Sequence, residues 1–482
     1  MVRRADLSPF GLGWFSLQDT LLIDYGGRVS IVQADGRQVA FTPTDTGYVP
    51  PAGDFGTLVH NADGTWTRTL PDGSTLAFNA DGRLTQLADR YGNAQLILYE
   101  SNGHSVPAGS WGLTTRIRRV TDTSGNTFDY AYDANGWLTA ITDNTGRINH
   151  YEHDADGHLT ASIDPLGQRE TFAYDARGLM TGHIDQRGSA TTYGLDDQGR
   201  LITRTWPTST TLQMSYTPTQ TTVLNDRGVP WATTLDARFN PVAGYNGVYT
   251  TTTTYSDQLL PQTTTQPPQF MRYDASGNVI ESLAATHAQF ERNGPFDQVT
   301  HVTATDGTDT RYAYDAAGNV ISSTDALSRT YHLTYDAHGQ PLSITDPLGQ
   351  VTTQQYNARG QLISTTDPLS RTTHAAYNAA GALTRVQDPL GRVTTIGPDA
   401  LNRPVVITDA LSGHSSRQYD AAGNLINVID PTNRAITYTY DALNRVTGIQ
   451  SPDGGVQTLA YDALGNLTRT VDARGLSDRV SV

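Results

Sequence analysis

Tyr314-Asp-Ala-Ala-Gly318, Tyr335-Asp-Ala-His-Gly339, Tyr356-Asn-Ala-Arg-Gly360 and Tyr377-Asn-Ala-Ala-Gly381 follow one another at intervals of 21 residues, with nothing gained or lost between them. The register runs on through Pro398-Asp-Ala-Leu-Asn402 into Tyr419-Asp-Ala-Ala-Gly423, Tyr440-Asp-Ala-Leu-Asn444 and Tyr461-Asp-Ala-Leu-Gly465. A fixed period of this length marks a repeat architecture and decides the fold before any single residue does.

Each row carries a second turn signal 11 residues past the tyrosine: Asp325-Ala-Leu-Ser-Arg329, Asp346-Pro-Leu-Gly-Gln350, Asp367-Pro-Leu-Ser-Arg371 and Asp388-Pro-Leu-Gly-Arg392. The Asp side chain accepts from backbone N–H groups ahead of it, Pro presets φ, and Gly takes the left-handed position that closes the turn. Between the signals lie short runs rich in Thr, Tyr, Val and Ile, which suit a pleated surface. In Thr437-Tyr-Thr-Tyr440 polar and apolar residues alternate, so Tyr438 and Tyr440 share a face. One row is therefore a β-hairpin. A lone hairpin is marginal in water, so the stacked array is the folding unit.

The same pattern extends outward. Phe78 and Tyr99 are one period apart. A second in-register block reads Tyr132-Asp-Ala-Asn-Gly136, His153-Asp-Ala-Asp-Gly157, Tyr174-Asp-Ala-Arg-Gly178 and Leu195-Asp-Asp-Gln-Gly199, with midpoint turns at Asp143, Asp164 and Asp185. Residues 203–310 lose the register but keep isolated rows such as Tyr273-Asp-Ala-Ser-Gly277, and are expected to be divergent strands of the same sheet. The Pro-rich run Pro261 to Pro268 disfavours a central strand there. Near the start, Leu21 to Tyr25 and Gly27 to Ile31 read as strands divided by glycine turns. Ser101 to Thr115 reads as an inserted loop.

The formal net charge is −15 and every basic residue is Arg, which makes a nucleic-acid partner a poor expectation. The chain has no cysteine, so disulfides and thiolate metal sites are excluded. No apolar run is long enough to span a bilayer. Met1-Val-Arg-Arg-Ala-Asp-Leu-Ser-Pro has charges without a following apolar stretch, unlike a secretory leader.

Tyr-Asp-Ala-x-Gly-x-Leu followed by Asp-Pro-x-Gly-Arg at a period of 21 resembles the YD repeat of the rearrangement-hotspot (Rhs) family, across about residues 7 to 476. The resemblance implies an all-β chain of antiparallel hairpins in a spiralling sheet, a partial cocoon shell. It implies a lead-in with divergent hairpins over 1–110, a first repeat block over 111–202, a divergent region over 203–310 and a second block over 311–482, all one shell. Shells of this family enclose a C-terminal polymorphic toxin used in competition between bacterial cells. The expected partners are thus a toxin cargo and components of a secretion machine outside this chain. The expected location is secreted or cell-surface by a route without a leader, or cytoplasmic before delivery. The family's cleavage motif, Asp-Pro-x-Gly-Leu, has its nearest match in Asp472-Ala-Arg-Gly-Leu476, which lacks the Pro and falls on the repeat register. It is read as a repeat turn.

No catalytic residue, cofactor or metal ligand is expected. The turn aspartates are solvated caps rather than proton-sharing pairs. The densest ligand-like stretch runs from His150 through Glu152, His153, Asp154 and Asp156 to His158. On a strand His150 and Glu152 oppose His153, so these residues do not converge. Phosphate loops and nucleophile elbows are absent. The residues expected to matter are structural: Tyr132, Tyr174, Tyr273, Tyr314, Tyr335, Tyr356, Tyr377, Tyr419, Tyr440 and Tyr461, with Gly136, Gly178, Gly318, Gly339, Gly360, Gly381, Gly423 and Gly465. The aromatic rows also admit a different use, a cell-surface module that stacks on sugar rings or docks a protein. A partial shell leaves strand edges open, a template for self-association.

Overall fold

A computed structural model of the chain describes residues 18, 20–26, 28–33, 37–51, 54–101, 115–224, 230–235, 241–245, 250–255, 261–265, 271–273, 279–282, 287–304 and 307–479. Leu7 to Trp14 and most of the expected Ser101–Thr115 loop lie outside these residues. The chain is all-β, with a 3-10 turn at Pro295–Asp297. Four strands, β1 (Leu21–Asp24), β2 (Val29–Val32), β3 (Gln38–Thr44) and β4 (Gly47–Val49), form a small antiparallel sheet. From Thr57–His60 to Ser477–Arg479 the chain is one antiparallel ribbon of 39 strands, each paired with the next. No ladder joins the ribbon's first strand to its last among the described residues, so the ribbon is an open strip.

The divergent region mostly continues this strip. Thr250–Tyr255 pairs with Pro261–Thr265 in the ribbon. Pro261 sits at the first position of a central strand, where its missing N–H costs one ladder bond at most. One hairpin leaves the strip: Met271–Tyr273 pairs with Val279–Ser282 alone, and Pro261–Thr265 passes directly to His287–Arg292. Tyr273 therefore ends a strand outside the ribbon, which the repeat period did not anticipate.

The two turns of each row differ. At nearly every turn following the tyrosine the ladder slips by one residue, as where Ala313 faces Ser322 but Tyr314 faces Val320, while the ladder at Tyr216 stays in register. The midpoint hairpins keep an unbroken register, as in Ser322↔His332, Ser323↔Tyr331 and Thr324↔Thr330. A bulge bends its strand and adds twist. Bulges on one rim only, repeated each row, curl the strip into a coil.

The coil closes on itself through turns. Asn144 in the first block donates to the Ala400 carbonyl, and 23 strands of the ribbon lie between those two turns. At a strand spacing of about 4.8 Å this is a circumference of roughly 110 Å, or about 35 Å across before strand tilt widens it. Such a wall buries little. The hydrophobic cluster gathers where the small sheet covers the first strands: Leu22, Ile31 and Phe41 against Trp66, Phe78, Leu84 and Ile117. Among the described residues no hydrophobic side chain beyond Ala161 is fully buried. The accessible surface, 27315 Å², is about 1.5 times that expected of a filled globule of this mass.

Candidate functional site

The repeated turn is the elementary unit. In Asp336-Ala-His-Gly-Gln340 the Asp336 N–H donates to the Gln340 carbonyl (3.0 Å), and the Gly339 N–H donates back to the Asp336 carbonyl (3.1 Å). The Asp336 Oδ1 accepts from the His338 and Gln340 backbone N–H groups at 2.8 and 2.9 Å. The fourth residue is left-handed throughout: the eight glycines named above have φ between +73° and +95°. Ser328, Ser370, Asn402, Ser412, Asn433 and Asn444 hold the same position at φ +59° to +65°. Where Arg occupies the fifth position its Nε donates to the same Asp, at 2.6 Å for Arg371–Asp367 and Arg392–Asp388. These bonds hold many of the turn carboxyls below their usual range. For Asp143 burial pushes up, but the Thr145 hydroxyl, the Arg147 guanidinium and two backbone N–H groups outweigh it and bring the carboxyl to about 2.

Nine of the ten predicted tyrosines perform one recurring task. The hydroxyl donates to a backbone carbonyl 15 residues back, in the preceding row: Tyr132 to Ile117 (2.6 Å), Tyr174 to Leu159 (2.8 Å), Tyr314 to Val299 (2.6 Å) and Tyr335 to Val320 (2.7 Å). Tyr356 reaches Pro341 (3.2 Å), Tyr377 Leu362 (3.0 Å), Tyr419 Pro404 (3.2 Å), Tyr440 Leu425 (2.6 Å) and Tyr461 Val446 (2.8 Å). The rings are half-buried. Several carry a cation from the preceding row on their face: Arg403 stands 4.3 Å over Tyr419 and Arg445 4.2 Å over Tyr461.

The seam between coils was not visible in the sequence. Midpoint turns of the first revolution, here the first coil (turns from Asp89 to Gly188), meet tyrosine-side turns of the next, the second coil (turns from Asp336 to Gly465). Arg90 donates to the His338 carbonyl (2.8 Å), and Arg359 donates to Asn93 (2.9 Å) and to the Thr123 carbonyl (2.7 Å). Arg147 donates to the Ala421 carbonyl (3.4 Å), and Arg187 to the Asp462 and Ala463 carbonyls (both 3.1 Å). The Tyr91 ring lies over Gly360 so closely that a Cβ there would stand 2.5 Å from it.

The ligand-like stretch is dispersed. Glu152 is claimed by Arg169 through two bonds of 2.6 Å. Asp154, Asp156 and His158 do sit together in one turn, with His158 Nδ1 2.9 Å from Asp154 Oδ2. That is the ordinary turn bond of every row, with imidazole replacing Asn or Arg. His301 lies between Glu291 (3.2 Å) and Asp309 (3.0 Å) on neighbouring strands, a pairing that only the strand register reveals. Asp472 accepts from the Arg474 and Leu476 N–H groups (both 2.9 Å) and from the Arg474 guanidinium (2.7 Å), as any turn Asp does. Nothing distinguishes it from its counterparts.

The profile of the RHS Repeat family matches residues 113–148, 153–190, 295–330, 335–372, 377–413 and 419–456. The chain belongs to the Rhs repeat family. A sequence comparison with curated proteins finds no match. Among solved structures, this Rhs chain is similar to one in the crystal structure of TcdB2-TccC3-Cdc42 (TM-score 0.53, 13% identity), covering 92% of the present chain and 30% of that one. It is also similar to one in the Photorhabdus luminescens Tc holotoxin pore (TM-score 0.52, 15% identity), covering 92% and 28%. The TcdB2-TccC3 crystal structure gives TM-score 0.53 at 14% identity, covering 92% and 29%. At such identities the likeness concerns the fold, and the chain spans under a third of those chains.

Proposed function

We propose that this chain is a wall segment of an Rhs-type toxin shell, a non-catalytic scaffold that encloses or presents a C-terminal toxin. The carrying observation is the coil with almost no core: a one-sheet wall whose revolutions are seamed by turns, with hydrophobic burial among the described residues confined to its first third. A filled domain of this length would bury a core throughout. In this reading residues 1–110, 111–202, 203–310 and 311–482 form one continuous shell, and the named tyrosines and glycines are its fasteners. The partners are a toxin cargo and the machine that exports it. The open edges at Thr57–His60 and Ser477–Arg479 offer unpaired backbone groups to another strand.

The test is electron cryo-microscopy of the purified chain. Views along the coil axis are expected to show a ring with an empty centre, and a filled centre would end the shell reading. Enclosure as opposed to display is tested by fusing an unstructured peptide after Val482: resistance of that peptide to protease supports enclosure, and rapid cleavage supports display. Sugar binding has less to rest on. Of the exposed aromatics, Phe55 and Phe296 pack on each other at 5.9 Å, while Tyr25 and Tyr331 belong to no common row.

A further inference from the structure

The seam joins a midpoint rim to a tyrosine-side rim, and each coil has one of each. The first coil's midpoint turns are covered by the second coil. Among the described residues nothing covers the second coil's midpoint turns. There Leu327, Leu348, Leu369, Leu390 and Leu411, one per row, are 74, 82, 73, 78 and 92% exposed, whereas Leu166 at the same position on the covered rim is 43% exposed. Five large apolar side chains along one rim, all open to solvent, call for a partner.

The arginines tell the same story. Arg147 on the covered rim is pinned by its Nε to Asp143 at 2.6 Å, so that its Nη1 faces the Ala421 carbonyl, and its side chain is 29% exposed. Arg329, Arg371, Arg392 and Arg434 are pinned identically to Asp325, Asp367, Asp388 and Asp430, yet are 62 to 68% exposed. The groove between adjacent turns differs likewise. On the covered rim Ala422 and Asn444 from the second coil intrude beside Arg147 and Pro165, leaving about 260 Å³. On the free rim the groove lined by Val351, Thr366, Pro368 and Leu369 opens to about 620 Å³.

Among the described residues the complementary tyrosine-side rim is open on the first coil. The third residue of its turns is exposed at Asn135, Asp156 and Arg177; in the seam the equivalents Ala380, Leu401, Ala422 and Leu443 are half-buried, and His338 and Leu464 stay exposed. Both rims repeat every two strands, about 9.6 Å, so their teeth are in step.

We infer that the free midpoint rim of the second coil, Leu327 to Arg434, is a docking surface for the free tyrosine-side rim, Asn135 to Arg177, of a second copy of this chain. The contact reproduces between molecules the seam already made within one. It differs from strand-edge pairing because it uses turns and no β-ladder. Because it joins two different surfaces it does not close, and copies stack into columns. The net charge of −15 opposes stacking, so added salt lengthens the columns.

The chain lacks cysteine, which permits a clean test. Copies carrying Leu348→Cys, Leu369→Cys or Leu390→Cys are mixed with copies carrying Asn135→Cys, Asp156→Cys or Arg177→Cys and oxidised. Cross-links between one set and the other are expected in a single register; cross-links only within a set, or none, would overturn the proposal. Sedimentation velocity gives the second arm. The combined Leu348→Asp, Leu369→Asp and Leu390→Asp variant, its fold checked by circular dichroism, is expected to weaken association about 100-fold. Ser477→Pro, which removes an N–H that faces away from the preceding strand and so blocks the last strand's edge, should leave association intact. A wild-type chain that stays monomeric at every concentration, or one whose association is lost only with Ser477→Pro, refutes rim docking.

Discussion

Asp143→Asn tests whether a single turn carboxylate holds the coils together. Asp143 receives the Thr145 N–H (2.9 Å) and hydroxyl (2.6 Å), the Arg147 N–H (3.1 Å) and the Arg147 Nε (2.6 Å), and its side chain is 5% exposed. Its carboxyl sits at about 2 against an ordinary 3.8. That difference corresponds to roughly 2.5 kcal/mol at neutral pH, and solvent screening at the rim reduces it to about 1–2 kcal/mol. The amide keeps an acceptor for the two N–H groups but loses the charge that aims Arg147 at the second coil. Because the folded carboxyl titrates below the unfolded one, the stabilisation is complete above pH 3.8 and fades as pH falls towards 2. The gap between wild type and variant in urea denaturation should therefore be widest near pH 7 and about half as large near pH 3. An equal gap at both values, or none at pH 7, would refute the assignment of this stability to the charge.

Tyr440→Phe deletes the donor to the Leu425 carbonyl and should cost about 1 kcal/mol in urea unfolding, while Tyr419→Phe, whose bond is 3.2 Å long, should cost less. Gly360→Ala and Gly349→Ala form a pair: both positions have φ near +78°, costing about 1–2 kcal/mol, but only Gly360 faces the Tyr91 ring. The Gly360 variant should lose at least about 1 kcal/mol more, and equal losses would show that the seam contributes nothing at that turn. Ser370→Gly relieves a left-handed serine at φ +60° and should raise the urea midpoint, by up to about 1 kcal/mol.

The hairpin, its two turns and the all-β coil were legible because they are local: Asp or Asn at the first turn position and Gly, Ser or Asn at the fourth recur in nearly every row. The alternation in Thr437-Tyr-Thr-Tyr440 likewise placed both tyrosines on one face, and their hydroxyls and rings lie there. What each hydroxyl bonds was not legible, because the carbonyl 15 residues back carries no side-chain signal. Nor was the seam, since Tyr91 meets Gly360 across more than ten rows, and no spacing rule connects them. The number of strands per revolution follows from accumulated bulge and twist, a property of backbone geometry that side-chain identity only permits. The exposed leucines were in plain view as Asp-Pro-Leu-Gly, but their exposure depends on which coil they belong to.

The degenerate row at Pro398 separates what folds the ribbon from what fastens it. Proline there has no hydroxyl, so the tie to the preceding row is missing. Yet the ladder still slips at Pro398↔Pro404, the Asp399 N–H still donates to the Arg403 carbonyl (2.9 Å), and Asn402 still turns left-handed at φ +62°. His153 and Leu195 likewise hold the tyrosine position without losing the bulge. The turn is thus sufficient to place a row, and the aromatic ring only ties rows that are already placed. Since the curl comes from the bulges, and each row supplies one midpoint turn and one tyrosine-side turn, any row can seat against another one revolution away whatever occupies its tyrosine position. A wall built this way tolerates sequence drift along its face but not at its rims. Substitutions at the tyrosine positions should therefore loosen the strip gradually, while changes at the turn Asp and the left-handed residue should break the coil.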